Sequence, residues 1–365
     1  MGTKKIGFVG LGLIGGSIAR AIRQYDPDDT LIAFDKSKES LALAVSDGII
    51  DTACSSIDDT FMNCDYIFLC APVSYNTAYL KQMIPYLNGN CILTDVGSVK
   101  TSIHKEVIRL GLEEHFIGGH PMAGSEKTGF ANSKPLLLEN AYYILTPTPK
   151  VSEEKVERYR NFVSHLKALP VVLDYQQHDY VTGTISHLPH IIAANLVNFV
   201  HDTDTKNELM KSLAAGGFKD ITRIASSSPV MWQQICLKNK ENISTILEQY
   251  INSLKETKEL IDDANEDELF RLFEESRDYR NSFPESSAGP IKKSHAVYCD
   301  IIDEAGGIAA IATILASNNL SIKNIGIVHN REFEEGVLRI EFYDDASSKK
   351  AADILQKFRY IVYER

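Results

Sequence analysis

The sequence predicts an α/β protein built on a doubly wound, mostly parallel sheet, followed by an all-α region and a smaller α+β unit. Apolar strand-like runs alternate with amphipathic helical segments over residues 1–173, which is typical of a parallel sheet covered by helices. Residues 174–283 show helical periodicity with few strand-like runs. The polar, proline-containing stretch 284–292 indicates a linker, and residues 293–365 read as β-α-β-β-α-β, the ferredoxin-like order.

Each element follows from a short stretch of sequence. In the first region the predicted strands are KKIGFVG, TLIAFDKS, DYIFLCAP, CILTDVGS, HFIGGHPMAG, AYYILTP and PVVLD. The helices between them are GSIARAI, SLALAVSDGI, YNTAYLKQMIPYL, VKTSIHKEVIRLG and EEKVERYRNFVSHLKAL. The second region contains one long amphipathic helix in ENISTILEQYINSLKETKELI. In the third, KSHAVYCDIID, LSIKNIGIVHN, GVLRIEFYD and RYIVYER are strands, and GGIAAIATILASNN and SSKKAADILQKF are helices.

Composition excludes several classes of protein. The formal net charge of -11 and the absence of a basic stripe disfavour a nucleic-acid partner. No apolar run reaches the roughly 18 residues of a membrane span, and MGTKKIGFVG lacks the architecture of a signal peptide. The six cysteines form no CxxC pair and are expected to be free thiols in the cytoplasm. An anionic substrate would need a local cluster of cations.

The segment GLGLIG, residues 10–15, matches the GxGxxG pattern of dinucleotide-binding, or Rossmann-type, domains. It follows the strand IGFV and opens a helix, which is the context that this pattern requires. Gly10 permits the tight turn, Gly12 lets a pyrophosphate approach the backbone, and Gly15 lets helix and strand pack closely. Leu13 and Ile14 begin the helix, whose N-terminal N–H groups attract phosphate.

Asp35 ends the second strand about twenty residues after the glycines, where an acid contacts the adenosine ribose. A carboxylate there favours a free 2′-hydroxyl and repels a 2′-phosphate, so we expect NAD rather than NADP. Lys36 and Lys38 lie close by and weaken that preference. A glycine turn in an unrelated α/β protein is the alternative interpretation.

Four further segments carry polar residues suited to chemistry. They are TDVGSVK (94–100), GGHPMAGSEKTG (118–129), HDYVTGTISHLPH (178–190) and AAGGFKDITRIASSSPVMW (214–232). Together they resemble the prephenate dehydrogenase family, and the resemblance covers residues 5 to about 282. It implies NAD-dependent oxidative decarboxylation of prephenate to 4-hydroxyphenylpyruvate in tyrosine biosynthesis, and a homodimer held by the helical region.

His120 is the candidate base for this reaction. An unperturbed histidine has a pKa of about 6.5 and therefore accepts a proton near neutral pH. Residue type alone leaves a structural histidine in a turn equally open, whereas the resemblance implies that this position is the catalytic base. It also implies that Ser98 hydrogen-bonds to the catalytic histidine near the nicotinamide. From the sequence, Ser98 is equally suited to cap the following helix.

The substrate carries carboxylates, and cationic side chains are needed to bind them. Arg223 offers a planar guanidinium fork, and Lys219 lies one helical turn earlier, although both residue types are most often solvated surface charges. The resemblance implies that Arg223 binds a substrate carboxylate and that His190 contacts the substrate as a polar donor. Glu126, beside Lys127, is a candidate for gating the pocket. Trp232 is a candidate for lining its wall.

The histidines of the third segment raise the question of a metal site. His187 and His190 are spaced i, i+3 and follow His178. No cysteine or carboxylate in the same motif completes a ligand set, and the reaction needs no Lewis acid, so we predict no metal. His187 is then structural, and Asp179 is a candidate for orienting a neighbouring side chain.

The C-terminal unit resembles an ACT domain, a regulatory module that often binds amino acids. The ligand-contacting positions implied by this resemblance are Asp303, Gly307, Ile308 and Asn324. We expect inhibition by tyrosine, at the active site, at this unit or at both.

Three alternatives remain open from the sequence. Arogenate dehydrogenase performs the same chemistry on an amino acid. Another β-hydroxyacid-type dehydrogenase would use a catalytic lysine instead of the serine and histidine motifs. A non-catalytic NAD and amino-acid sensor would leave His120, Ser98 and Arg223 without a purpose.

Overall fold

A computed structural model of the chain describes residues 3–124, 127–283, 295–301, 306–328 and 336–363. The chain folds as two units, 1–284 and 285–365. Within the described ranges, no helix is long and apolar enough to cross a membrane.

A parallel sheet forms the centre of the first unit. Its strands are β1 (Lys5–Val9), β2 (Thr30–Phe34), β3 (Thr52–Cys54), β4 (Tyr66–Leu69) and β5 (Ile92–Asp95), in the order β3-β2-β1-β4-β5. β1, β2, β4 and β5 were predicted as apolar runs, whereas the three-residue β3 is too short to leave a pattern. The strand order reverses between β1 and β4, so the carboxyl ends of these two strands flank the crevice where such sheets bind ligands.

Five helices cover this sheet, as the alternating pattern predicts. They are α1 (Leu13–Tyr25), α2 (Lys38–Ser46), α3 (Val73–Met83), α4 (Thr101–Arg109) and α5 (Glu153–His165). Serine side chains cap α2 and α5, because the Ser37 and Ser152 hydroxyls accept N–H groups from the first turn.

A second sheet of three strands continues from β5. It comprises β6 (Ile117–Pro121), β7 (Tyr142–Pro147) and β8 (Leu169–Val172), in that order. A parallel bridge between Leu93 and Phe116 joins it to β5. β6 and β7 are antiparallel, since the described parts of the chain between them form only short 3-10 turns and supply no crossover helix.

The rest of the first unit is helical, as its periodicity predicts. After α6 (Tyr175–Thr182), a π-helical turn over Gly183–His187 leads into α7 (Leu188–Thr203). The remaining helices are α8 (Leu209–Leu213), α9 (Gly216–Thr222), α10 (Pro229–Lys238), α11 (Lys240–Asp262) and α12 (Glu266–Asn281). The long amphipathic helix expected here is α11.

The second unit has the predicted β-α-β-β-α-β order. Its elements are β9 (His295–Ile301), α13 (Gly307–Ser317), β10 (Asn324–Val328), β11 (Gly336–Phe342), α14 (Asp345–Lys357) and β12 (Val362–Tyr363). The antiparallel sheet runs β10-β11-β9-β12, which is the ferredoxin-like arrangement. Leu338 and Ile340 pack against Ile311, Leu315 and Leu355 in its core.

Candidate active site

The glycine turn after β1 has the geometry of a dinucleotide site. Gly10 has φ +102°, and a Cβ there would lie 2.7 Å from the Ala71 nitrogen. A Cβ on Gly15 would lie 2.6 Å from the Gly10 oxygen, whereas one on Gly12 would meet nothing within 4 Å. Gly10 and Gly15 are therefore required by the fold, while Gly12 leaves open space beside the N-terminus of α1.

Asp35 lies directly beside this glycine turn. Its carboxylate accepts N–H groups from Leu11 at 2.6 Å and from Ser37 at 2.7 Å. The neighbouring Lys36 ammonium lies 4.0 Å from the centre of the Tyr75 ring. The open cradle at Gly12, the helix N-terminus and this fixed acid fit NAD.

A buried ion pair connects β5 to the strand that carries His120. The Lys100 ammonium donates to both Asp95 oxygens at 2.6 and 2.5 Å and to the Gly119 carbonyl at 2.7 Å. Lys100 and Asp95 are 0% and 1% exposed. Because removing either partner would leave an uncompensated buried charge, the pair fixes β6 at the carboxyl end of β5.

The glycines beside His120 serve packing. A Cβ on Gly118 would lie 2.3 Å from the Thr146 hydroxyl, and one on Gly119 would lie 2.6 Å from the Asp95 carbonyl. From residue type alone, glycines that flank a histidine are expected to bring a loop close to a ligand. The two residues instead lie within β6, where neighbouring strands leave no room for a side chain.

His120 is the first member of a hydrogen-bonded series. Its Nδ1 lies 2.8 Å from His178 Nε2, and His178 Nδ1 lies 2.8 Å from Asp179 Oδ1. The two Asp179 oxygens also accept the backbone N–H groups of Lys100 and Thr101, both at 2.7 Å. Asp179 thus caps α4 and anchors the two imidazoles to it. Asp179 was a candidate for orienting a neighbouring side chain, and in the structure that neighbour is His178.

Burial and these contacts set the charges of the three groups. Burial lowers the pKa of His120 well below its usual value, and the nearby His178 and Lys100 lower it further. Burial also lowers the pKa of His178, against the effect of its bond to Asp179. Burial opposes ionisation of Asp179, but hydrogen bonds from His178, Thr101 and Lys100 hold its pKa below the usual value. Near neutral pH both imidazoles are therefore neutral and Asp179 is ionised.

Ser98 lies half-buried just beyond β5. Among the residues that the structure describes, the hydrogen-bond partner of the His120 ring is His178. The alternative role of Ser98 as an N-cap is not realised, because α4 begins at Thr101 and Asp179 caps it. A contact between Ser98 and His120, or with a bound ligand, stays a prediction.

Three of the predicted substrate-binding residues, His190, Trp232 and Arg223, lie close together where α7 packs against the turn after α9. His190 stacks on Trp232 with ring centroids 3.7 Å apart, and its Nδ1–H donates to the Ser186 carbonyl at 2.9 Å. Burial lowers the pKa of His190, and the charge of Arg223 lowers it further. Arg223 and Lys219 are exposed. The neutral His190 ring carries a lone pair at Nε2, so the predicted donor role requires the imidazolium.

His187 is structural, as predicted. It is 1% exposed, and its Nδ1 accepts a hydrogen bond from the Asn239 amide at 3.1 Å. Burial lowers its pKa to about 4. In the part of the chain that the structure describes, no three His, Cys, Asp or Glu side chains are grouped as a metal site.

The remaining predicted positions are those of the linker, the proposed gate and the second unit. Glu126, Asp303 and the linker 284–292 lie outside the described residues. Gly307 is the first residue of α13, Ile308 is 40% exposed, and Asn324 begins β10. The roles expected of these residues stay predictions.

Known protein families match most of the first unit. Residues 18–172 match the family model described as prephenate dehydrogenase, nucleotide-binding domain. Residues 174–275 match the model described as prephenate dehydrogenase, dimerization domain. The two matches meet where the sheet ends and α6 begins.

Individual relatives extend this similarity. The prephenate dehydrogenase of Bacillus subtilis (strain 168) is 38% identical over 349 residues, which are 95% of this chain and 94% of that protein. A structure of Aquifex aeolicus prephenate dehydrogenase in complex with hydroxyphenyl propionate and NAD+ has a TM-score of 0.72 at 34% identity, covering 77% of this chain and 98% of that one. Synechocystis arogenate dehydrogenase has a TM-score of 0.70 at 30% identity, covering 77% and 100%. Only the Bacillus protein, among these three, matches far enough to include most of the second unit.

Proposed function

The chain belongs to the prephenate dehydrogenase family and is an NAD-dependent oxidoreductase, and we propose that His120 is its catalytic base. The substrate is prephenate, which is oxidised and decarboxylated to 4-hydroxyphenylpyruvate. The ring carbon that bears the hydroxyl loses a hydride, the hydroxyl loses a proton, and the ring carboxylate leaves as CO2. The ring oxygen then regains a proton as the ring becomes a phenol, and this aromatisation drives the reaction.

The observation that carries this assignment is the placement of His120. The Leu93–Phe116 bridge runs β6 parallel to β5 at that point, so β6 extends beyond the carboxyl end of β5. The glycine turn of the cofactor site follows the carboxyl end of β1 in the same sheet. His120 therefore lies at the edge where such sheets bind their ligands. A non-catalytic sensor would have no use for an oriented neutral imidazole there.

The cofactor would be held by residues 10–15 and Asp35. NAD, when bound, supplies the hydride acceptor. His120 accepts the hydroxyl proton, since its lowered pKa keeps the ring neutral and ready at neutral pH. Its hydrogen bond to His178 holds the ring in place while the proton moves. Ser98, beyond β5, is proposed to hydrogen-bond to His120 near the nicotinamide.

The opposite end of the substrate would lie against α7 and the turn after α9. Arg223 is proposed to bind a carboxylate through its guanidinium fork, with Lys219 adding positive charge. His190 would donate to the same anion as imidazolium, because a bound carboxylate favours the charged ring against the burial and the Arg223 charge that lower its pKa. Trp232 holds that ring by stacking. Glu126 is proposed to gate this pocket.

Prephenate rather than arogenate is expected to be the better substrate. Arogenate carries an ammonium group where prephenate has a keto group, and a site built around Arg223 and Lys219 disfavours a further positive charge. We expect kcat/KM for prephenate to exceed that for arogenate by about 10-fold or more. Steady-state NADH formation by the purified full chain measures both. A higher kcat/KM for arogenate would reassign the substrate, and no turnover of either would refute the enzymatic function.

Tyrosine is proposed to inhibit the enzyme as an end product. The second unit has the ferredoxin-like arrangement of ACT domains, and α13 begins at Gly307, one of the expected ligand positions. We expect tyrosine to slow prephenate turnover by the full chain. Repeating the inhibition curve after deletion of residues 291–365 assigns the response: a weaker response places it in the second unit, and an unchanged one places it at the active site. Turnover that tyrosine does not affect would contradict the proposal.

The helical region is proposed to form a homodimer. Large apolar side chains on α7 to α12 are 61–72% exposed in the single chain; they include Phe199, Leu213, Ile221, Leu237, Phe270 and Phe273. Exposed apolar surface on this scale is typical of protein interfaces. The match of residues 174–275 to a dimerization domain supports the same conclusion.

A reducing compartment, the cytoplasm, is the proposed location. The six cysteines are free, and four of them are buried. Burial raises the pKa of Cys64 and Cys91 to about 12, so these thiols stay protonated and unreactive.

A further inference from the structure

Two side chains, those of His178 and Asp179, link His120 to the start of α4. His120 bonds to His178, His178 bonds to Asp179, and Asp179 accepts the N–H groups of Lys100 and Thr101 at the N-terminus of α4. His178 and Asp179 are both 0% exposed. Water therefore does not compete for these bonds, and their geometry is determined by the packing of α6 against α4.

The direction of each hydrogen bond follows from its neighbour. A backbone N–H can only donate and an ionised carboxylate can only accept, so His178 must donate to Asp179 through Nδ1–H. A neutral imidazole carries one ring proton, so His178 Nε2 is an acceptor. His120 must then donate through Nδ1–H. Its Nε2 is left with the lone pair.

We propose that His178 and Asp179 are positioning residues that hold His120 in the Nδ1–H tautomer, with the Nε2 lone pair directed to the substrate's hydroxyl proton. The inference rests on the proposed role of His120 as base. In the opposite tautomer Nε2 already carries a proton and accepts none. After proton transfer, the negative charge of Asp179 stabilises the imidazolium through His178, as a buried carboxylate does for other catalytic histidines.

Two substitutions of His178 separate orientation from packing. His178→Leu removes both hydrogen bonds, whereas His178→Gln retains an amide N–H for Asp179 and an oxygen that accepts from His120. We expect His178→Leu to lower kcat with prephenate by about 100-fold, and His178→Gln to retain activity within about 10-fold of the wild type. The KM for NAD should change little in either variant.

A matched control is available on the surface. His201 bonds to the adjacent Asp202 at 2.9 Å, like His178 to Asp179, but the two side chains are 83% and 74% exposed. His201→Leu and His201→Gln should leave kcat unchanged.

The tautomer itself is measurable without turnover. Ring nitrogen NMR of the 15N-histidine-labelled full chain near neutral pH, assigned with His120→Asn, should show His120 protonated at Nδ1 only. The His120 signal should move toward the Nε2–H form in His178→Leu and stay unchanged in His178→Gln.

Each result bears on the inference. Protonation of His120 at Nε2 in the wild type would overturn it, even if the variants failed to fold. Equal losses of kcat in both His178 variants, with the His120 tautomer unchanged, would overturn it too and leave His178 a packing residue. A wild type that does not turn over prephenate would instead contradict the proposed function. The NMR result would still report the tautomer of His120, because that measurement does not require turnover.

Discussion

His120→Asn should lower kcat with prephenate by about 10²- to 10⁴-fold, the contribution typical of a general base. Asparagine suits this test because its amide N–H can still donate to His178 Nε2, in the place of His120 Nδ1–H. The substitution thus keeps the buried bond and removes the atom that accepts the proton. NAD binding should survive, because residues 10–15 and Asp35 lie on other strands and turns.

The pH dependence of the wild type should point to the same residue. Only neutral His120 accepts a proton, and its pKa is lowered by burial. Activity is therefore fully present at neutral pH and is lost only as pH falls through that lowered pKa, below about 6.5. The residual activity of His120→Asn should lack this acidic limb. His165→Asn, at a half-exposed histidine of α5 paired with Asp26, is the control and should match the wild type. An unchanged kcat in His120→Asn would remove His120 from the mechanism.

The cofactor end of the site could be predicted because its chemistry is local. Gly10 and Gly15 meet steric requirements within one turn, Gly12 leaves open space beside them, and the spacing of the motif encodes all three. Asp35 follows from the same strand-turn-helix pattern. Most strands and helices were predicted for the same reason, since an element of four or more residues carries its own hydrophobic pattern. The three-residue β3 is too short to carry such a pattern.

The proton-accepting end could be predicted only in part. His120 was identified, and Asp179 was a candidate for orienting a neighbouring side chain. The bonds that connect them were not predicted, because His120 and His178 are 58 residues apart and Asp179 and Lys100 are 79 apart. Long-range bonds of this kind leave no spacing in the sequence. The packing role of the glycines next to His120 does not show in the sequence for a related reason, since the nearest atoms that exclude a side chain there belong to other strands. The antiparallel pairing of β6 with β7 was also missed.

Arg223→Ala should raise the KM for prephenate by about 10- to 150-fold and change kcat much less. Charge-assisted hydrogen bonds contribute roughly 1.5–3 kcal/mol each, which gives that range. The expected split follows from location, because Arg223 lies beside His190 and Trp232, while the proton is accepted at His120. An interaction made equally with substrate and transition state affects KM rather than kcat. His190 responds too: without the Arg223 charge its pKa rises, so the imidazolium persists to higher pH and offsets part of the loss.

Arg223→Lys separates charge from shape in the same assay. Lysine keeps the positive charge but not the planar fork, so its KM should lie between those of the wild type and the alanine variant. Arg160→Ala removes an exposed arginine of α5 that pairs with Glu157, and it should leave KM unchanged. A wild-type KM in Arg223→Ala would exclude Arg223 as the carboxylate anchor. A loss confined to kcat would place the guanidinium at the reacting ring, so the division between KM and kcat locates the residue along the substrate.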